Sequence, residues 1–176
     1  MKSLGLILVF TLGAFVVVNA QAPLDAKFQA QLKRLFPNAA SFSARQPDPP
    51  HYKVYAGDPK LPSSLVGFAF WTTELTPLER AYDGPIKILV GMDARGVLTG
   101  ILVVDHHEPY GNFSIDTAGF QQQFKNKDIR DQFKVGGDID AISRATISVS
   151  TAARSVRNGA RRLARALLTP PTGNTQ

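Results

Sequence analysis

Pro85-Ile-Lys-Ile-Leu-Val-Gly-Met-Asp-Ala-Arg-Gly-Val-Leu-Thr-Gly-Ile-Leu-Val-Val-Asp105 is the stretch that decides the fold. Two β-branched and aliphatic runs flank Asp93-Ala-Arg-Gly96, a segment with turn chemistry and no room for a crossover helix. Strands joined so tightly run antiparallel. Upstream, Leu65-Val-Gly-Phe-Ala-Phe-Trp-Thr-Thr73 is another strand, with Phe68, Phe70 and Thr72 on one face, and Tyr52-Lys-Val-Tyr55 alternates before the Ala56-Gly-Asp-Pro59 turn. Successive strands without intervening helices point to an antiparallel sheet rather than a βαβ fold.

Helical periodicity brackets this sheet. Phe28, Leu32 and Leu35 repeat at helical spacing, so residues 23–35 read as a first helix, favoured at its start by Asp25 and closed by Pro37-Asn38. Three prolines in residues 44–50 exclude helix and read as a linker. After the sheet, residues 106–111 form a loop, Asp116 can cap a short helix through Phe124, and residues 125–140 connect. A last helix is predicted over residues 147–168. Val149, Ala152, Ala153, Val156, Ala160, Leu163, Ala164 and Leu167 form its apolar stripe, with Arg154, Arg157, Arg161, Arg162 and Arg165 largely opposite. Pro170-Pro171 ends it, and residues 170–176 read as a disordered tail. The expected class is α+β: a twisted antiparallel sheet with an N-terminal helix and a long C-terminal helix. Trp71 and the nearby phenylalanines are expected to fill the core beneath the sheet.

The first twenty residues differ from the rest. Lys2 is their only charge, residues 4–18 are almost wholly apolar, and Val18-Asn19-Ala20 resembles a signal-peptidase site. Residues 1–20 therefore read as a secretory signal, with an uncleaved anchor as the alternative. Residues 21–50 then hold the N-terminal helix and the Pro-rich linker. The chain has no cysteine, which excludes disulfides, thiolate catalysis, iron–sulfur clusters and c-type haem attachment. Export without disulfides suits a periplasm. The net charge of +6 would in another setting suggest nucleic acid. Export makes an acidic partner protein or an anionic membrane surface the expected partner instead.

The chemistry concentrates at Asp140-Ala-Ile-Ser-Arg-Ala-Thr146, where the last helix begins. A helix N-terminus presents unpaired N–H groups and a partial positive charge, a seat for phosphate. Ser143, Ser148 and Ser150 add hydroxyls, and a phosphodiester on Thr146 would face the helix end and Arg144. The plainer alternative is that Asp140, Ser143 and Thr146 are competing N-caps. His106, His107 and His51 are too few and too badly placed for a metal, because adjacent strand residues face opposite ways. Glu108 could act as a general base, but its plainer role is to hold loop backbone.

Asp140-x-x-Ser143-x-Ala145-Thr146 resembles the flavinylation signature of the exported FMN-binding domain family, usually Ser-Gly-Ala-Thr at its end. That resemblance implies FMN attached covalently to Thr146 by a phosphoester bond, placed there by a separate flavin transferase using FAD and Mg2+. Arg144 stands where the signature has glycine, a residue suited to a positive φ. Residues 84–105 look like the family's hairpin. His106-His-Glu-Pro-Tyr-Gly111 resembles the His-His-Glu-Pro stretch of the family's nitrous-oxide-reductase regulator, where other members have Glu-Thr-Pro-Gly. In the family this loop contacts the isoalloxazine. The implied cofactor-binding set is therefore Thr146, Asp140, Ser143, Arg144, Ala145, Ser148, Glu108, Pro109, Tyr110 and Gly111, with Tyr110 able to stack on the ring and His106 or His107 able to tune it by hydrogen bonding.

The resemblance spans about residues 65–168 and implies an FMN-binding domain over residues 51–169. The function it implies is an exported electron-transfer flavoprotein serving a membrane or periplasmic respiratory system, a carrier more than a stand-alone enzyme. Two alternatives stay open: a regulatory or maturation accessory that binds FMN, and a flavin-free binding module.

Overall fold

The computed structural model describes residues 24–75 and 77–168. The expected signal at 1–20 and the tail at 170–176 lie outside the described residues. The elements are α1 (Ala26–Leu35), β1 (Ser41–Phe42), β2 (Gln46–Pro47), β3 (Pro50–Tyr55), β4 (Leu65–Trp71), β5 (Lys87–Asp93), β6 (Leu98–Asp105), α2 (Ala118–Gln122) and α3 (Thr146–Leu167). Short 3-10 turns occur at Pro62–Ser64, Thr72–Glu74 and Gly111–Phe113. The sheet runs β1-β3-β4-β5-β6 with every pairing antiparallel, and β2 pairs with β3 off this path. The α+β class and the bracketing helices stand as expected. Among the described residues no helix is long and apolar enough to cross a membrane.

The hairpin turn explains itself chemically. Asp93 Oδ1 accepts from the N–H groups of Arg95 and Val97 at 2.8 and 2.9 Å, and Oδ2 accepts from the Arg95 guanidinium. Burial pushes the Asp93 carboxyl up, yet these donors together hold it below the usual carboxylate range. The side chain thus fixes the turn that sets the β5–β6 register, in which Val90 faces Ile101.

The sheet buries both faces. Phe68, Phe70, Ile88, Val90, Met92, Leu98 and Ile101 lie on the side of α3, packed with Val149, Val156 and Leu163. Each such side chain, fully buried, contributes about 1.5–3 kcal/mol. The other face carries Tyr52, Val54, Ala69, Trp71, Leu89 and Leu102 against Leu32 and Leu35 of α1 and against Phe36, which caps its C-terminus. Trp71 therefore does not share the phenylalanine core. It stacks with Phe28 at 5.5 Å between centroids, and Lys87 Nζ sits 4.8 Å from its ring centroid. Consecutive strand residues point to opposite faces, so Phe70 and Trp71 cannot enter one core. Gly91 admits α1 to this face: a Cβ there would stand 2.3 Å from Thr99 Oγ1 and 2.9 Å from the Phe36 ring.

Three local expectations need correction. Residues 44–50 carry β2 and the start of β3, with Gln46 opposite His51 and Pro47 opposite Pro50. Proline forbids helix but tolerates extended backbone at an edge or bulge. The cap of α2 is Thr117, whose hydroxyl accepts from Phe120 N–H at 3.2 Å. Asp116 is engaged elsewhere, by His106. The arginines of α3 are only partly solvated. Arg161 donates to the carbonyls of Ile129 and Asp131, both at 2.7 Å. Arg154 pairs with Glu79 at 3.1 Å, and Asn158 donates to the same carboxylate. These side chains pin the connecting segment and the loop after β4 to α3.

Candidate functional site

Helix α3 begins without a side-chain cap. Its N-cap is Ala145, at φ −123° and ψ 21°, and Thr146 is the first helical residue. Asp140 and Ser143 are exposed, and neither caps the helix. Asp140 instead donates its N–H to Gln123 Oε1 at 2.7 Å. Ala145 holds the cap position because its methyl group is buried in the α3-side core, where a larger polar cap would be desolvated. The Ala145 carbonyl accepts from Val149 N–H at 2.9 Å, so the preceding N–H groups of the first turn point outward without a side-chain acceptor. The Thr146 side chain is exposed, and its hydroxyl makes no hydrogen bond among the described residues. The bare cap removes the reading of Asp140, Ser143 and Thr146 as competing N-caps.

The turn entering the helix explains the glycine of the usual signature. Ala145 N–H closes back on the Ile142 carbonyl at 3.1 Å, which puts Arg144 third in a four-residue turn. Arg144 takes φ +67° there. That is the left-handed region, which a glycine enters freely and another L-residue enters at about 1–2 kcal/mol.

A buried clasp joins this helix start to the loop after β6. Glu108 is only 6% exposed. Its Oε2 accepts from the Ser148 hydroxyl, and its Oε1 accepts from Asp83 N–H at 3.1 Å. Three segments distant in sequence, around residues 83, 108 and 148, therefore meet on one carboxylate. Ser148 is committed to that carboxylate through its hydroxyl. Glu108 N–H donates to His106 Nδ1 at 3.0 Å, which leaves the His106 proton on Nε2, where it faces Asp116 Oδ1 at 3.0 Å. Both ring nitrogens are thus used inside the loop. Gly111 makes this possible, because a Cβ there would lie 2.0 Å from His106 Cε1.

Around the clasp stands an exposed aromatic and aliphatic rim. Tyr110 is 50% exposed, Tyr82 71%, Phe113 82% and Ile147 56%. The sequence points to Tyr110 and to exposed Pro109, but not to Tyr82, Phe113 or Ile147. Their signal is weak: a lone large apolar residue in a loop is ordinary. The Asp83–Glu108 contact joins the loop bearing Tyr82 to the loop bearing Tyr110, a link between residues twenty-five apart. His51 lies away from this rim, buried beside Phe68, with Nδ1 2.7 Å from the Pro49 carbonyl. Burial pushes its pKa below the usual histidine value, outweighing the opposing Pro49 contact. Among the described residues no three His, Cys, Asp or Glu side chains group as a metal site.

A sheet-and-helix domain with an uncapped helix start, a free threonine hydroxyl on it and an aromatic loop clasped alongside has the parts that a binder of a phosphate-bearing aromatic ligand needs. Residues 81–161 of this chain match the FMN-binding domain family. That span runs from the turn before β5 into α3 and contains every site residue described above. The regulatory protein NosR of Stutzerimonas stutzeri is 28% identical over 142 residues, 74% of this chain and 19% of NosR. One component of the ion-translocating oxidoreductase complex of Haemophilus influenzae (strain PittEE) is 31% identical over 106 residues, 54% of this chain and 48% of that protein. Its counterpart in Vibrio atlanticus (strain LGP32) is 33% identical over 86 residues, 43% of this chain and 41% of that protein. The chain thus spans less than half the length of each of these relatives.

The residues present fit a flavin phosphate. The uncapped N–H groups of the first α3 turn are unused donors, the Thr146 oxygen is free among the described residues, and the one carboxylate beside this turn, Glu108, is engaged by Ser148 and Asp83 and does not cap it.

Proposed function

We propose that this chain is an exported electron-transfer flavoprotein that carries FMN covalently on Thr146 and serves a respiratory redox system. One observation carries the reading: an exposed threonine hydroxyl on an uncapped helix start, inside the segment that matches the FMN-binding domain family. Bound FMN would supply one- and two-electron redox chemistry. The chain's own residues then have separate tasks. Thr146 would supply the ester oxygen, and the first N–H groups of α3 would be available to hold the phosphate. Glu108 keeps the 106–111 loop against the helix through Ser148, so that Tyr110 stands where an aromatic ring could lie on it. Among the described residues no base touches the Thr146 hydroxyl; in the proposed attachment a separate flavin transferase would take its proton as the threonine oxygen bonds to the FMN phosphorus of FAD, the pyrophosphate bond breaks and AMP leaves. Export rests on the composition of residues 1–20. The basic surface of α3 suits an acidic redox partner.

A second reading, a regulatory or maturation accessory that binds FMN, is favoured by the breadth of the NosR match, which covers more of this chain than the matches to the oxidoreductase complex do. Production with its leader in a host that flavinylates related proteins tests the main reading. The expected protein is yellow after denaturation and heavier by one FMN less a water, and Thr146→Ala is colourless yet folded. A colourless, unmodified wild type beside a modified control protein would overturn it. Reduction of the bound flavin by a quinol-linked donor separates the carrier from the accessory.

A further inference from the structure

We propose that Arg144 is a phosphate-positioning residue of the Thr146 site, and that its strained backbone is kept for its guanidinium. This rests on the reading of Thr146 as the flavin attachment point and extends it to the position where this chain departs from the Ser-Gly-Ala-Thr form. Two observations meet at this residue. Its φ of +67° at the third position of the Ile142–Ala145 turn is one that glycine takes without cost. Its side chain is exposed and makes no hydrogen bond or ion pair among the described residues, although Asp140 lies only four residues away. By contrast, Arg45, Arg95, Arg130 and Arg154 each pair with a carboxylate, and Arg161 is tied to two carbonyls.

The position suits a phosphate on Thr146. Two peptide units separate the Cα atoms by at most about 7.6 Å, within an extended arginine's span. A phosphodiester retains one negative charge and two unesterified oxygens. The α3 N–H groups answer it with a partial charge only. A planar guanidinium adds a full charge and can grip both oxygens at once, which an ammonium cannot.

The test uses the full chain, produced with flavin transferase and compared with Arg144→Gln, Arg144→Lys and Arg144→Gly. Three quantities are read: the loading rate by intact mass at limiting transferase, the 31P resonance of loaded protein, and the rise in Tm on loading. Arg144→Gln is expected to load roughly ten- to hundredfold more slowly, in line with the loss of one charged hydrogen bond, to move the 31P resonance and to lose part of the Tm rise. Arg144→Lys should recover only a fraction of each. Arg144→Gly should show a higher Tm than wild type when unloaded, and a smaller rise on loading. A 31P resonance and a loading rise in Arg144→Gln equal to wild type would overturn the role of Arg144 and leave Thr146 standing. A wild type that stays unmodified beside a modified family member would overturn both.

Discussion

Replacing Glu108 by alanine removes the acceptor shared by the Ser148 hydroxyl and Asp83 N–H. A hydrogen bond to a charged acceptor contributes about 1.5–3 kcal/mol. Two such bonds are lost, but the mutant no longer has to desolvate a carboxylate that is almost wholly buried. The net expected cost is about 2–3 kcal/mol. Ser148→Ala removes one bond and leaves Oε2 short of a donor, at about 1–2 kcal/mol. Because the two side chains touch, the double variant should fall short of additivity by about 1–2 kcal/mol. Urea unfolding of unmodified protein at neutral pH measures this, with Trp71, the only tryptophan, as reporter. Trp71 packs against α1 on the face opposite α3, so its signal follows the whole domain and not the mutated site. Additivity within about 0.3 kcal/mol, with unchanged m values, would refute the clasp.

Two further outcomes follow from the same structure. The folded-state pKa of His51 lies below its unfolded value because of burial, so the unfolded chain binds more protons. The associated stability is complete above about pH 6.5 and falls on acidification below that, by at most about 1.4 kcal/mol per pH unit. His51→Gln should flatten the pH dependence of unfolding between about pH 7 and 5.5, and an unchanged slope would exclude His51 as its source. Gly111→Ala should cost about 1–3 kcal/mol in thermal unfolding, because its Cβ would displace the His106 ring and break the bonds to Glu108 N–H and Asp116. A tolerated alanine with an unmoved His106 resonance would contradict that packing.

What can be read in the sequence is what is local. The β5–β6 hairpin is legible because Asp93 carries the turn through bonds to residues two and four positions on. Asp25 is legible as a helix start and does cap α1, accepting from Lys27 and Phe28 N–H. Asp116 misleads because a distant histidine outcompetes the local cap, and periodicity carries no trace of that contact. The two-faced sheet is hidden in plain view: β4 and β5 are nearly continuous apolar runs, which marks strands buried on both sides. At the site, Thr146, Arg144 and the 106–111 loop are reachable from the motif. The clasp is not, since Glu108 and Ser148 lie forty residues apart and each has an ordinary local reading.

The start of α3 gathers two costs in adjacent residues. Ala145 at the cap position forgoes about 1 kcal/mol relative to a serine or aspartate, although oxygen-bearing residues stand at 140, 143 and 146. Arg144 adds left-handed strain. The Arg144 cost could be relieved by a single substitution without disturbing the sheet, because that residue lies in an exposed turn, whereas Ala145 is held in place by its buried methyl group. A left-handed backbone that packing does not require, set beside outward-facing donors and one free hydroxyl, is the kind of strain expected at a surface shaped for a ligand. The buried clasp behind them supports the same conclusion, since it ties the helix start to the loop bearing Tyr110 and sets both side by side.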